Sequence, residues 1–295
     1  MLVHTESWQF NTTDQTLIDL ALTEDLGQPY QDITTATLFS DVKNSSQAKI
    51  ISKHPEPIII AGLPLIKIIL EKLTQEYSIQ TNYQDGQTLS PGDTLVTLTA
   101  NANVLLMAER TILNFLQRLC AVATLTAKFV AAVNGTQLKI LDTRKTMPGF
   151  RHLEKYAVLC GGGVNHRIGL YDALLIKDTH IDLLGGVAAT LNKLTAKFSV
   201  PVIIEIRTLD ELKIVLAQGR EKINRVLLDN MTPQLMAECV TLCRGIFPTE
   251  ASGNIDLTTI VDVAKSGVDF ASVGKLTHSA NSVDLSMKCD IKHAK

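Results

Sequence analysis

Apolar and polar positions follow two different rhythms along this chain. Through about residue 100, short strand-like pieces alternate with turns: the Gly27–Pro29 break, Asp85-Gly86, and Pro91-Gly92-Asp93 ahead of the alternating Thr94–Thr99. Among them Leu63–Leu73 is the one segment whose apolar residues fall at helical spacing, so this part reads as a small α+β unit. Between Val104 and Leu119, Leu105, Leu106, Ile112, Leu113, Leu116 and Leu119 recur at helical intervals, with Glu109, Arg110, Gln117 and Arg118 on a polar face.

After about residue 137 the rhythm becomes strand, loop, helix, repeated. Leu138–Leu141 runs into Asp-Thr-Arg-Lys, and Ala173–Ile176 into Lys-Asp-Thr-His. Val202–Ile206 precedes a capping box at Thr208–Glu211, and Arg225–Leu228 precedes Asp-Asn and then Thr232-Pro233, an N-cap followed by proline. A run ending in Glu250-Ala-Ser-Gly253 leads to a helix expected from near Asp256, and Phe270–Val273 ends in Gly-Lys-Leu-Thr. Six short strands separated by helix-length segments predict a parallel sheet with right-handed crossovers, closed into a β/α barrel. The expected organisation is an N-terminal α+β domain, 1–115, rejoined by the tail 277–295, and a barrel over 116–276.

The length of 295 residues suits two such domains. With 28 Lys+Arg against 30 Asp+Glu, the net charge of −2 provides no global field for nucleic acid or membrane, so an anion site must be built locally. The nearly apolar run Ile58–Leu70 is shorter than the ~20 residues a membrane helix needs. The stretch MLVHTESWQF lacks signal-peptide features, and five scattered cysteines suit reduced thiols; both lead to the expectation of a cytoplasmic protein. Cys239 and Cys243, four apart, read as helix packing rather than metal ligands.

Barrel enzymes place their chemistry at the C-terminal strand ends. Those ends are loaded here: Asp142-Thr143-Arg144-Lys145, Lys177-Asp178-Thr179-His180, Glu205, Asp229-Asn230, Ser252-Gly253-Asn254 and Gly274-Lys275-Leu276, with Gly161-Gly-Gly-Val-Asn-His166-Arg167 between the first two strands. From Lys139 to His180 there are seven Lys/Arg against four Asp/Glu, plus three histidines. Such a local excess implies a strongly anionic ligand, since guanidinium forks suit carboxylate and phosphate. The two late Gly-containing loops suit a phosphate, and Glu205 and Asp229 suit Mg²⁺ or sugar hydroxyls. Read without a family, the same residues leave other functions open: an aldolase-type lyase with Lys177 as a Schiff base, or a catalytically silent sensor. The Gly161–Gly163 run could equally be a plain linker, and His152 and His180 structural groups.

The segment ILDTRKTMPGFRHLEKYAVLCGGGVNHRIGLYDALLIKDTH, Ile140–His180, resembles the quinolinate phosphoribosyltransferase family. The likeness extends through Glu24-Asp25, Asp32-Ile-Thr-Thr35, Ala108-Glu-Arg-Thr111, Leu228-Asp-Asn230, Glu250-Ala-Ser-Gly253, Ser272-Val-Gly274 and Asp284-Leu-Ser286. The resemblance implies an incomplete barrel behind an α+β domain, the type II phosphoribosyltransferase fold. It implies transfer from phosphoribosyl pyrophosphate to quinolinate with Mg²⁺, giving nicotinate mononucleotide, pyrophosphate and CO₂. It also implies a homodimer with shared sites, or a hexamer, in which Arg110 acts across the interface. By the same likeness Arg110, Thr143, Arg144, Lys145, His166, Arg167 and Lys177 hold the dicarboxylate and phosphates. Glu205 and Asp229 face ribose and metal, and Ser252, Gly253, Asn254, Gly274, Lys275 and Leu276 form the phosphate loops. Lys145, Lys177, Glu205 and Asp229 are the expected catalytic groups. Arg207, Thr179, Lys275 and Gln31 depart from the family pattern; Arg207 stands where an acid is usual and could neutralise Glu205.

Overall fold

The structure, a computed structural model, describes residues 8–38, 45–194 and 198–290. The first seven residues of the N-terminal stretch and the last five of the tail lie outside the described residues. The chain runs α1 (Thr12–Leu26), α2 (Ile33–Leu38), β1 (Ser45–Ser52), β2 (Ile58–Ile59), α3 (Leu63–Leu73), β3 (Tyr77–Gln80), β4 (Thr88–Leu89), β5 (Thr94–Asn101) and α4 (Ala102–Ala132). It continues β6 (Lys139–Leu141), α5 (Arg151–Cys160), β7 (Leu174–Ile176), α6 (Asp178–Leu183), α7 (Val187–Lys193), β8 (Val202–Ile206) and α8 (Leu209–Gln218). It ends with β9 (Arg225–Asp229), α9 (Pro233–Cys243), β10 (Thr249–Ser252), α10 (Ile260–Lys265), β11 (Phe270–Ser272), α11 (Lys275–His278) and β12 (Leu285–Asp290).

Two compact units divide the chain: Met1–Ala127 with Met147–Gly162 and Ala280–Lys295, and Lys128–Thr146 with Gly163–Ser279. The tail joins the first unit, from Ala280 rather than 277, while the boundary expected at 115/116 falls later, after Ala127, and the segment Met147–Gly162 also goes to the first unit. Most of α4 and all of α5 pack in the first unit, because long-range contacts, not chain order, set the division. In that unit β12, β1, β5 and β3 form an antiparallel sheet, and β1 alternates exposed and buried so that Ser46, Ala48, Ile50 and Ser52 face inward. Helix α3 starts at Gly62, whose φ of +105° favours glycine, and the Asp85 carboxylate takes the Gly62 and Leu63 N–H groups at 2.9 and 3.2 Å.

Helix α4 extends well past the Val104–Leu119 stripe and is apolar and long enough to cross a bilayer. The Ile58–Leu70 run is thus not the most membrane-like segment. Buried Leu105, Ile112, Leu116, Leu119 and Phe129 mark α4 as a core helix.

The second unit is a six-stranded sheet of order β6-β11-β10-β9-β8-β7, parallel throughout. Every residue of β8 is buried, as expected of a strand covered on both faces. Strands β6 and β7, consecutive in the chain, stand at opposite ends of this order, and the ladder does not close between them. Full closure, expected from strand rhythm alone, gives way to an incomplete barrel; at the open end Leu141 forms only an isolated bridge with Val164.

Candidate active site

Strand register decides which side chains share the barrel interior. Glu205, Leu227 and Glu250 are neighbours across β8, β9 and β10, and two residues further on Asp229 faces Ser252. With a side-chain period of two, these rows point the same way, as do Leu175 and Lys177 beside them. All of them line one cavity of about 680 Å³, within the size range of small-molecule sites.

Thr143, Arg144 and Lys145 reach that cavity from the β6 end, Lys177 from β7, Ser252, Gly253 and Asn254 from β10, and Gly274 and Lys275 from β11. His166 and Arg167 join them from the segment bridged to β6, anchored by the His166 N–H donating to the buried Asp142 carboxylate at 2.9 Å. Two expected residues are not brought there. Arg110 is exposed on α4 in the first unit, and Leu276 is fully buried, its N–H used in the turn that starts α11. The phosphate-loop reading also shifts for Ser252–Asn254: α10 begins only at Ile260, after a turn in which Asp256 holds Thr258 and Thr259.

The cations are crowded. Burial, then the neighbouring Arg144 charge, lower the Arg167 guanidinium below its usual value, while Asp172 opposes them. Arg167 also donates to the Ala173 carbonyl at 3.1 Å, which fixes its direction. Among the described residues neither Lys145 nor Lys177 makes an ion pair. Lys275 differs: its ammonium sits 3.1 Å from Asp256, so its charge is already spent on a neighbouring loop.

The acids are crowded too. Burial pushes the Glu205 carboxyl up, and the Asp229 and Asp178 charges add to this, against Lys177 and the Asp178 N–H. Arg207 does not neutralise Glu205; it pairs with Asp182 at 2.8 Å and Glu211 at 2.9 Å. Glu211 also takes the Arg207 N–H at 2.6 Å, so in the Thr208 box the hydroxyl caps Glu211 while the glutamate bonds one residue earlier than a reciprocal box would. His180 accepts the Lys177 N–H, and His152 meets Asp14 at 2.6 Å in the first unit, so both are structural.

Sequence reasoning passed over Glu250, Asn230 and His278 as site residues, although all three line the cavity. For Asn230 a signal existed, since Asp-Asn at a strand end suits the left-handed conformation. Asn230 and Asn254 both have φ of +52°, and Asn230 donates to the Asp229 carboxylate at 2.6 Å. A side chain on Gly253 would sit 2.1 Å from Asn230 Oδ1, so this glycine is required by close approach. In the Gly161–Gly163 run, Gly161 lies against Ala123 and Thr126, and Gly162 has a φ of +83°, so these two serve a tight turn rather than a linker.

Among the described residues no group of three or more His, Cys, Asp or Glu could hold a metal, Cys239 and Cys243 included. Burial pushes those two thiols up to about 11 and about 12, leaving them protonated at neutral pH.

Comparison with known proteins agrees with this geometry. Residues 32–120 match the quinolinate phosphoribosyl transferase N-terminal domain, and 122–288 its C-terminal domain. The chain is 37% identical to a chloroplastic nicotinate-nucleotide pyrophosphorylase [carboxylating] of Oryza sativa subsp. japonica, over 94% of this chain and 78% of the relative. It is 38% identical to a probable nicotinate-nucleotide pyrophosphorylase [carboxylating] of Bacillus subtilis (strain 168), over 90% and 89%. The solved nicotinate-nucleotide pyrophosphorylase from Francisella tularensis superposes with a TM-score of 0.88 at 38% identity, covering 95% of this chain and 98% of that one.

Proposed function

Because the chain belongs to the quinolinate phosphoribosyltransferase family, we propose that its strand-end cavity hosts that family's decarboxylating transfer. The protein moves a phosphoribosyl group from phosphoribosyl pyrophosphate to quinolinate, releasing pyrophosphate and CO₂ and forming nicotinate mononucleotide for NAD biosynthesis. The observation that carries the site assignment is the packing of Arg144, Lys145, Arg167 and Lys177 around one cavity. Both substrates are multiply negative. At an effective dielectric of about 20, two like unit charges about 4 Å apart repel by about 4 kcal/mol, so fixed cations are needed for the acids to meet.

In this reading Arg144, Lys145 and Arg167 grip the two carboxylates, while Lys177, Ser252–Asn254 and Gly274 receive phosphate. The pyridine nitrogen attacks the anomeric carbon as the bond to pyrophosphate breaks. The C2–carboxylate bond of the now cationic ring then cleaves, its electron pair stabilised by the ring nitrogen until C2 takes a proton. Arg144 and Arg167 hold the ring through its carboxylates while that bond breaks and CO₂ leaves; the protein supplies position and charge, and no covalent nucleophile is required.

Glu205 and Asp229 fit Mg²⁺ as a ligand set. They are oxygen donors whose crowded charge a divalent cation relieves, and such an ion is commonly held by one or two carboxylates plus substrate phosphates. Bound there, Mg²⁺ would neutralise the departing pyrophosphate. Arg110, exposed and outside its own chain's cavity lining, fits a role in a partner copy's site within a homodimer. The buried thiols Cys120, Cys160, Cys239 and Cys243 suit a reducing cytoplasm.

The deciding assay supplies quinolinate, phosphoribosyl pyrophosphate and Mg²⁺ and follows nicotinate mononucleotide and CO₂, with nicotinic acid in parallel. Turnover of nicotinic acid without CO₂ release, and none of quinolinate, would overturn the reading. Omitting Mg²⁺ and adding EDTA tests the metal separately.

A further inference from the structure

Glu250 is fully buried, yet it lines the cavity, with hydrogen-bonding groups at Oε1 and the Arg225 guanidinium paired with Oε2. The Ser272 hydroxyl donates to Oε1, His166 Nε2 lies 3.3 Å from the same oxygen, and Arg225 Nη1 lies 3.1 Å from Oε2. Burial alone would raise this carboxyl; the hydrogen bonds from His166 and Ser272 and the Arg225 charge work against it, leaving Glu250 below the ordinary range and ionised.

The other side of His166 is also committed. Its Nδ1 accepts the Arg167 N–H at 2.6 Å, which leaves the ring proton on Nε2, facing Glu250. An imidazole bonded in this way has neither nitrogen left for proton shuttling. Its own N–H is held by Asp142, so the turn into Arg167 is pinned between two buried acids. Isolated buried acids are costly; here Asp142 takes the His166 backbone N–H and Glu250 faces the His166 ring, so both act on the residue that precedes a cavity-lining guanidinium.

We propose that Glu250 is a positioning residue for substrate carboxylate recognition: through the His166 ring it fixes the turn that aims Arg167 into the cavity. The proposal rests on quinolinate being the aromatic substrate. Glu250→Gln is the sharp variant. Its amide NH₂ must face either His166 Nε2–H or Arg225, so one donor meets another whichever way the side chain turns.

The expected result is a rise in KM for quinolinate of about tenfold, by analogy with the loss when the outer partner that orients a metal-ligating histidine is removed. KM for phosphoribosyl pyrophosphate stays unchanged. Ring nitrogen chemical shifts should report the Nε2–H tautomer of His166 in the unaltered protein and a changed signal in the variant. If Glu250→Gln misfolds, Ser272→Ala, which removes one donor to Glu250, should shift the same constant in the same direction by less. An unchanged quinolinate KM in a folded variant, equal losses for both substrates, or an Nδ1–H tautomer in the unaltered protein each overturn the proposal. An unaltered protein that ignores quinolinate but shows the Nε2–H tautomer defeats the substrate reading and leaves the His166–Glu250 geometry standing.

Discussion

The first unit and the barrel mouth treat charge in opposite ways. In the first unit the buried Asp14 and Glu154 and the half-buried Asp85 are given donors. Glu154 receives the Arg118 guanidinium at 2.9 Å and the Met147 N–H at 3.2 Å. Asp14 closes the α1 capping box and meets His152, and Asp85 caps α3 while accepting the Tyr156 hydroxyl at 2.6 Å. In the barrel mouth, Arg167 is pressed by Arg144, and Glu205 by Asp229 and Asp178. Satisfied charge maintains a fold; like charges held together store a preference for a ligand of the opposite sign.

The contrast can be broken first where charge is satisfied. Arg118→Ala strands the Glu154 carboxylate and should cost about 3–5 kcal/mol of stability, read as a lowered denaturant midpoint. A midpoint close to the unaltered protein's would show that the pair contributes little. In the mouth the outcome should invert: Arg144→Ala, Lys145→Ala or Arg167→Ala leaves the midpoint nearly unchanged but removes about 2–5 kcal/mol of transition-state stabilisation, read in kcat/KM. Near-normal turnover in all three sinks the site assignment.

Glu205→Gln sharpens the comparison through pH. A carboxyl raised above its unfolded pKa favours the fold below that unfolded value, and the contribution is lost as pH rises through the folded value. Ionised Glu205 therefore burdens the metal-free protein at neutral pH. Glu205→Gln in EDTA should melt higher at pH 7, with the gain vanishing under acid, while turnover collapses. A lower melting temperature at pH 7 would count against the crowding described. The smallest effect is expected for Lys275→Ala: an exposed pair with Asp256 is worth at most about 1 kcal/mol, and KM for phosphoribosyl pyrophosphate should move little.

What could be read from sequence follows from how local each determinant is. Helix α3 was legible to the residue because Gly62, Pro64 and Thr74 punctuate an apolar stripe, and β8 because Val202–Ile206 is a short apolar run. Helix α5 was missed because buried Glu154 and Lys155 interrupt its apolar face, and β12 because its partner β1 is more than 200 residues away. In the site, polar residues directly after short strands were legible. Glu250 was not, since its meaning depends on His166, 84 positions earlier, and on Arg225 from the next strand. Leu276 was over-read by extending a loop one residue into the core.

The unclosed edge between β6 and β7 also has an evolutionary reading. The segment carrying His166 and Arg167 bridges β6 at the Leu141–Val164 pair and is held again by the Asp142 carboxylate, not by a continuous ladder. Exchanges there need not shift the register of a barrel strand so long as the contacts of His166 with Asp142 and Glu250 are kept. A seam of this kind lets a lineage retune which acid it accepts while the rest of its scaffold stays put.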